Sequence, residues 1–343
     1  MSAPLAAILS CVGPAVTADE RMFFREVDPL GFILFGRHIE TPDQTRRLVD
    51  ELRSCVARAD APVLVDQEGG RVVRLKPPHW RRAPPARLFG ELYDRDPERG
   101  LEAVALNSRL LAADLASIGA DVDCMPVLDL TLPETHAAIG DRSYGPRPEA
   151  VAALGRAAAE ALLAEGVMPI IKHMPGHGRA TVDSHRGLPR VDASREVLER
   201  TDFLPFKLLS DLPWGMTAHL LFEAVDPDAP VTISARAVKE VIRGHIGFDG
   251  LLVSDDLSMQ ALGGTLGERA SRALAAGCDI ALHCNGRMDE MTNIVARIGP
   301  MTDAAEQRFQ RGRQTLRRLH APLGKAAMSE AAERLRVLLP EWG

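Results

Sequence analysis

The residues best suited to chemistry are concentrated in one segment, 167–186. A short apolar run, 167–171, has the composition of a buried strand, and it ends abruptly in polar residues and turn formers. A strand buried on both faces cannot carry charged side chains, so we expect them on the loop at its carboxyl end, where α/β folds place active sites. These polar side chains are Lys172, His173, His177, Asp183 and His185.

Asp183 and His185 are separated by one residue, and a loop can bring them into hydrogen-bonding contact. A carboxylate that accepts a hydrogen bond from an imidazole fixes its tautomer and tunes its pKa near neutral pH, which suits acid and base catalysis. A single histidine is more often structural or solvated. Three histidines, a lysine and an aspartate within residues 172–185 favour a functional site.

The order Lys-His-Met-Pro-Gly-His-Gly at 172–178, followed by Asp-Ser-His at 183–185, resembles the signature of family 3 glycoside hydrolases. The resemblance is specifically to the bacterial single-domain β-N-acetylhexosaminidases of peptidoglycan recycling. Similar signature segments occur in the expected order across about residues 31–285, which makes the set more specific than any one motif. They are Gly-Phe-Ile-Leu-Phe-Gly-Arg at 31–37, Val-Asp-Gln-Glu-Gly-Gly-Arg-Val at 65–72, Gly-Asp-Arg-Ser-Tyr-Gly at 140–145, Met-Thr-Ala-His at 216–219 and Val-Ser-Asp-Asp-Leu-Ser-Met at 253–259.

The resemblance implies a retaining reaction with Asp255 as nucleophile, His185 as acid and base, and Asp183 orienting His185. Asp255 follows the apolar run 251–253, and the neighbouring Asp256 is the competing candidate. Adjacent residues of a strand point to opposite faces, so we expect one of the two to face the site and the other to cap the following helix. The position in the motif favours Asp255.

The same resemblance implies a sugar-binding set, which consists of Asp66, Arg74, Arg142, Lys172 and His173. Buried polar groups at fixed positions discriminate between sugars, because a ligand without the matching group leaves them unpaired. Four positions depart from the family pattern without touching the catalytic residues: His38, Tyr144, Met174 and Arg179. These departures leave the reaction class unchanged but blur the expected substrate preference.

Alternating apolar runs and longer amphipathic segments indicate parallel βα units. Candidate strands lie near 5–11, 31–35, 62–66, 121–126, 167–172, 214–218, 250–254 and 279–283. Candidate helices lie near 18–27, 43–58, 97–117, 148–165, 195–210, 235–244, 264–276 and 287–298, with terminal helices near 302–319 and 328–338. An open doubly wound sheet would also alternate, but polar residues end runs three to seven: Asp66, Asp129, His173, His219 and Asp255. We therefore predict an α/β fold, a single-domain (β/α)₈ TIM-type barrel over residues 1–343, with the proline-rich segment 76–95 as a surface loop.

The composition excludes several classes of protein. Of the 343 residues, 46% are hydrophobic and 26% charged, which is typical of a globular chain. A net charge of -6 provides no basic surface for nucleic acid, and no uncharged apolar stretch is long enough for a transmembrane helix. Five cysteines without metal-type spacing suit a reducing cytoplasm, and we expect a monomer without cofactor or metal.

Three alternatives remain open beside the predicted exo-β-N-acetylglucosaminidase acting on muropeptides. A metal-dependent barrel hydrolase could use His173, His177, His185, His219 and Asp66 as ligands, although the usual metal motifs are missing. A β-glucosidase of the same family would commonly carry a second α/β domain, for which we expect no room here. A non-enzymatic sugar-binding protein would need no nucleophile at Asp255.

Overall fold

Eight parallel strands close into a barrel in the computed structural model, which describes residues 3–182 and 187–342. In chain order they are β1 (Leu5–Leu9), β2 (Pro29–Leu34), β3 (Val63–Val65), β4 (Val122–Asp123), β5 (Met168–Met174), β7 (Trp214–Thr217), β9 (Leu251–Asp256) and β10 (Ile280–Leu282). Each pairs with its neighbours, and β10 pairs with β1 to close the ring. Two short strands, β6 (Arg190–Val191) and β8 (Leu221–Phe222), form a separate parallel pair. The predicted barrel of eight strands is confirmed.

Helices surround the barrel and alternate with its strands. They are α1 (Ala18–Val27), α2 (Pro42–Cys55), α3 (Ala86–Arg95), α4 (Pro97–Ser117), α5 (Pro148–Ala164), α6 (Arg195–Arg200), α7 (Leu204–Leu208), a π-helical segment (Ala237–His245), α8 (Leu266–Ala276), α9 (Met288–Val295), α10 (Asp303–Leu319) and α11 (Lys325–Leu338). Four of these helices begin after a threonine whose hydroxyl accepts a backbone N–H of the first turn: Thr17, Thr41, Thr265 and Thr302. These caps fix the starts of the four helices, which lie within two residues of the predicted ones.

The expectation of a surface loop over 76–95 is wrong for its second half, which forms α3. The prolines of this segment indicate a loop, but Pro85 lies at the N-cap of α3, where the missing N–H costs no helical hydrogen bond. Phe89 and Leu92 of α3 are buried against the core. Likewise, the predicted helix 195–210 divides into α6 and α7, because Pro205 cannot continue a preceding helix.

The terminal helix α10 packs against the amino-terminal end of the barrel. Trp214, the first residue of β7, is fully buried, and its ring centroid lies 5.7 Å from that of Phe309. Arg308 Nη1 donates to Asp279 Oδ1 at 2.9 Å just before β10 begins. This end of the barrel is closed by packing and ion pairs, whereas a cavity opens at the carboxyl ends of the strands. No helix in the described ranges is long and apolar enough to cross a membrane.

Gly90 provides a test of the packing of α3. A Cβ atom at this position would lie 1.6 Å from the carbonyl oxygen of Tyr144, and backbone cannot move aside cheaply. In an exposed helix Gly→Ala stabilises by about 0.5–1 kcal/mol. We expect the opposite sign for Gly90→Ala, a loss of about 1–3 kcal/mol in the free energy of unfolding from the overpacked contact.

Chemical denaturation at pH 7 measures this change. Gly299→Ala is the matched control, because a Cβ there meets nothing within 4 Å. Equal free energies of unfolding for the two variants would contradict the close approach of α3 to the segment around Tyr144.

Candidate active site

A cavity of about 330 Å³ opens at the carboxyl ends of the barrel strands. Its polar lining includes Asp66 after β3, Lys172 and His173 on β5, and Asp255 on β9. Arg74 and Arg142 reach it from the loops that follow β3 and β4. The structure therefore brings together every predicted sugar-binding residue and Asp255, although these residues are spread over nearly two hundred positions of the chain.

Five charged side chains form a continuous chain of alternating sign along the cavity wall. Arg74 Nη2 donates to Asp66 Oδ2 at 2.9 Å, and Lys172 Nζ donates to Asp66 Oδ1 at 2.9 Å. Lys172 Nζ also lies 2.7 Å from Glu68 Oε1. Arg142 then binds Glu68 in a bidentate manner, with both distances at 2.8 Å. We call these five residues the charge network.

The charge network keeps its members ionised although it is largely buried. Burial by itself raises the pKa of Glu68, but Arg142 and Lys172 outweigh burial and lower this pKa to about 2. The pKa of Asp66 is likewise held well below its usual range, since Lys172 and Arg74 outweigh its burial. In return the two carboxylates raise the pKa of Lys172 against the effect of burial. Lys172 is therefore a fixed cation and unsuited to be a general base.

A second buried pair stands beside the charge network. His173 Nδ1 lies 2.6 Å from Asp129 Oδ2, and both residues are buried. Asp129 Oδ1 accepts the backbone N–H groups of His173 at 3.2 Å and His177 at 2.7 Å. His173 Nε2 is left on the cavity side, 3.5 Å from Arg142 Nη2.

The two candidate nucleophiles, Asp255 and Asp256, differ in the number of hydrogen bonds that their carboxylates accept. Asp255 accepts the backbone N–H of Asp256 at 2.8 Å. Asp256 accepts the backbone N–H of Ser258 at 3.0 Å, its hydroxyl at 2.6 Å and the backbone N–H of Cys284 at 3.3 Å. Burial raises the pKa of Asp255, but its polar neighbours His173 and His219, the backbone N–H of Asp256 and Lys172 together outweigh burial and keep this pKa below its usual range. Asp255 is thus charged and has lone pairs available toward the cavity.

One expectation about this pair is wrong. Asp255 and Asp256 both line the cavity, because β9 ends at Asp256 and the chain turns there, so strand alternation no longer applies. Asp256 stabilises that turn and does not cap the next helix, α8, whose N-cap is Thr265.

His219 supports the end of β9 from behind. It is fully buried, with Nε2 2.9 Å from the carbonyl oxygen of Asp256 and Nδ1 2.7 Å from Thr232 Oγ1. A carbonyl only accepts, so Nε2 carries the proton. Burial lowers the pKa of His219, so we assign it a neutral, structural role under the two aspartates.

Asp183 and His185, the predicted acid/base pair, lie outside the described residues, so their contact stays a prediction. The segment leading to them is held in place by Arg179, whose Nε donates to buried Asp202 Oδ2 at 2.7 Å. Within residues 3–182 and 187–342, no group of three or more His, Cys, Asp or Glu side chains is arranged to hold a metal ion.

Residues 10–319 match the glycosyl hydrolase family 3 N terminal domain. The chain belongs to glycosyl hydrolase family 3. It is 39% identical over 277 residues to a beta-hexosaminidase of Alkalilimnicola ehrlichii, covering 80% of this chain and 78% of that protein. It is also 39% identical over 299 residues to a beta-hexosaminidase of Chromobacterium violaceum, covering 85% and 82%.

Two solved structures of this family resemble the fold closely. NagZ from Neisseria gonorrhoeae in complex with N-trifluoroacetyl-D-glucosamine superposes with a TM-score of 0.87 at 30% identity, covering 98% of both chains. A family 3 beta-N-acetylglucosaminidase from Paenibacillus sp. has a TM-score of 0.84 at 28% identity, covering 98% of this chain and 67% of that one. The predicted family and the predicted glycosidase activity are confirmed.

Glu68 and Asp129 are central to this family 3 site, but the sequence predicts no role for either of them. Glu68 follows Asp66 by two residues just after β3, and residues at this spacing in an extended chain share a face. That spacing was the available signal for the charge network. Asp129 ends a predicted strand as a polar residue, but its partner His173 is 44 residues away, so no local pattern joins them.

Glu68→Gln tests the charge network. The amide removes a buried charge that Arg142 and Lys172 need, and breaking a buried ion pair in this way costs about 3–5 kcal/mol of unfolding free energy at pH 7. The folded pKa of Glu68 is depressed to about 2, so its contribution exists above the unfolded pKa of about 4.3 and is lost as pH falls toward 2. The difference between wild type and variant therefore shrinks below pH 4.5.

Denaturation from pH 7 to pH 3 measures this dependence. Glu102→Gln is the matched control, because Glu102 binds Arg334 with similar bidentate geometry, 2.7 and 2.8 Å, on the surface. We expect it to cost at most about 1 kcal/mol. A Glu68→Gln variant as stable as this control would contradict the network.

Proposed function

We propose that this family 3 glycosidase is a retaining exo-β-N-acetylglucosaminidase. The observation that carries the proposal is a charged, sparsely hydrogen-bonded Asp255 that faces a sugar-sized cavity lined by the charge network. Relatives named beta-hexosaminidase and the fold similarity to NagZ in complex with N-trifluoroacetyl-D-glucosamine support the choice of sugar.

In the first step a carboxylate oxygen of Asp255 attacks the anomeric carbon, and the glycosidic bond to the leaving oxygen breaks. His185 donates its proton to that oxygen, and Asp183 stabilises the imidazolium before the transfer. In the second step water attacks the glycosyl-Asp255 ester and gives its proton to His185, which releases the sugar and the free carboxylate. Two inversions at the anomeric carbon retain its configuration.

The charge network supplies the sugar-binding groups in this proposal. Asp66 accepts hydrogen bonds from hydroxyls, while Arg74, Lys172 and Arg142 donate to hydroxyl or carbonyl oxygens. These side chains already bind one another at 2.7–2.9 Å, so they are oriented before substrate arrives. A sugar that lacks a matching group would leave some of them unpaired, which is how buried polar sites reject close analogues.

The proposed substrate is a cell-wall fragment with N-acetylglucosamine linked to 1,6-anhydro-N-acetylmuramic acid, with or without peptide. The proposed place of action is the cytoplasm, where such fragments would be recycled, and five unpaired buried cysteines suit that compartment. A β-glucosidase of the same family is the second candidate.

Trapping with a 5-fluoro N-acetylglucosaminyl fluoride tests nucleophile and sugar together. We expect a stable adduct on the peptide that contains Asp255, and much slower labelling by the 5-fluoro glucosyl analogue. Asp255→Gly should lose at least about a thousandfold in kcat, more than about 4 kcal/mol, with partial recovery by azide as an α-glycosyl azide. Mass spectrometry of the peptides and of the azide product measures both.

Asp256→Asn is the control for this experiment, because its carboxylate is occupied by Ser258 and Cys284. It should still be labelled on Asp255. Label on Asp256 in the wild-type protein would contradict the assignment of Asp255 as the nucleophile. Faster labelling by the glucosyl donor than by the N-acetylglucosaminyl donor would favour the β-glucosidase.

Leaving-group dependence identifies the acid. A general acid contributes about 10²–10⁴-fold to poor leaving groups and little to a 2,4-dinitrophenolate that departs unaided. We therefore expect His185→Ala to lower kcat/KM strongly for a disaccharide substrate but only weakly for the dinitrophenyl glycoside.

His173→Ala is the matched variant, since His173 lines this cavity and is paired with the carboxylate of Asp129. As a binding residue it should lower kcat/KM by similar factors for both substrates. If kcat/KM falls selectively for the disaccharide in His173→Ala but not in His185→Ala, the general acid is His173 and not His185.

A further inference from the structure

Asp129 is a buried carboxylate whose two oxygens perform different tasks. Oδ1 accepts two backbone N–H groups, those of His173 and His177, at 3.2 and 2.7 Å. Oδ2 faces His173 Nδ1 at 2.6 Å. Asp129 has no exposed surface, and it lies behind the histidine rather than against the cavity.

Among the described residues, the hydrogen-bonding neighbour of the other ring nitrogen of His173 is a donor. Nε2 lies 3.5 Å from Arg142 Nη2, and a guanidinium has N–H groups but no acceptor. A proton on Nε2 would point at these N–H groups, whereas a proton on Nδ1 points at a carboxylate. The geometry therefore favours a proton on Nδ1 and a lone pair on Nε2.

We propose that Asp129 is a positioning residue that fixes His173 in this Nδ1–H tautomer, so that Nε2 accepts a hydrogen bond from a hydroxyl of the bound sugar. The second half rests on the proposed function, because it assumes that the cavity binds a sugar. The first half does not, and it concerns the protein alone. A hydrogen bond on the far nitrogen decides which nitrogen of an imidazole is available to a ligand.

Asp129→Asn should reverse the tautomer without changing the size of the side chain. The position of Oδ1 must still accept two backbone N–H groups, so the amide oxygen has to remain there. The amide NH₂ then faces His173 Nδ1 and donates to it. Nδ1 can accept this hydrogen bond only when it carries no proton. The ring proton moves to Nε2, where it meets Arg142 and the cavity.

The tautomer is read directly by ¹⁵N NMR of protein labelled at its ten histidines, with His173→Gln used to assign the signal. We expect a protonated Nδ1 and an unprotonated Nε2 in the wild type, and the reverse in Asp129→Asn. Asp129→Asn should also lower kcat/KM for the N-acetylglucosaminide by about 10- to 100-fold, mainly through KM, because a buried acceptor is replaced by a donor.

A double-mutant cycle separates positioning from a general structural effect. In a His173→Gln background Asp129 has no imidazole to orient, so Asp129→Asn should cost less than threefold in kcat/KM there. Asp279→Asn is the control: it is another buried aspartate, it accepts the backbone N–H of Leu252 at 2.8 Å, and it lies at the opposite end of the barrel. It should change stability but neither the His173 signal nor kcat/KM.

Each outcome decides one part. A wild-type His173 with its proton on Nε2, or an unchanged tautomer in folded Asp129→Asn, would overturn the role of Asp129. If Asp129→Asn does not fold, the wild-type spectrum and the His173→Gln variant still test the tautomer and the acceptor. If the wild type and Asp129→Asn show the expected tautomers but the protein hydrolyses no N-acetylglucosaminide, the proposed function is refuted. The positioning of His173 by Asp129 is then still supported.

Discussion

The arrangement of the site depends on one electrostatic constraint: charges placed in a largely buried cavity must neutralise one another. An isolated buried charge would shift its pKa and become neutral. The charge network avoids this by alternating cations and carboxylates from Arg74 to Arg142, so that each carboxylate contacts two cations. The cavity can therefore present charged groups to a ligand in a region from which much of the water is excluded.

This constraint also explains why the barrel is a suitable scaffold. Asp66 and Glu68 follow β3, Lys172 lies on β5, and Arg142 comes from the long connection between β4 and β5. Only neighbouring strands with a fixed register can bring these groups to within 3 Å, and β3, β4 and β5 are neighbours. Asp129 extends the same arrangement, since it ties the end of β5 to the β4 connection by three hydrogen bonds.

The sequence predicted those features that depend on local composition. Eight apolar runs became the eight strands, because parallel strands buried on both faces read as continuous apolar segments. It failed where a local signal was ambiguous, as at α3, whose prolines precede a helix instead of forming a loop. It also could not reveal the partners of Glu68 and Asp129, because Arg142 and His173 lie 74 and 44 residues away, and only the closed barrel brings them together.

The carboxylates around the cavity can be distinguished by charge and by occupancy together. Asp66, Glu68 and Asp129 are charged, but cations, backbone N–H groups or His173 already contact both oxygens of each. Asp256 accepts three hydrogen bonds at the turn that follows β9. Asp123, below them on β4, has one oxygen without a partner, but burial raises its pKa well above the usual range, and it does not line the cavity. Among the described carboxylates Asp255 combines a retained negative charge with an oxygen left open to the cavity. A nucleophile that attacks an anomeric carbon needs both properties, and this combination supports the role proposed for Asp255.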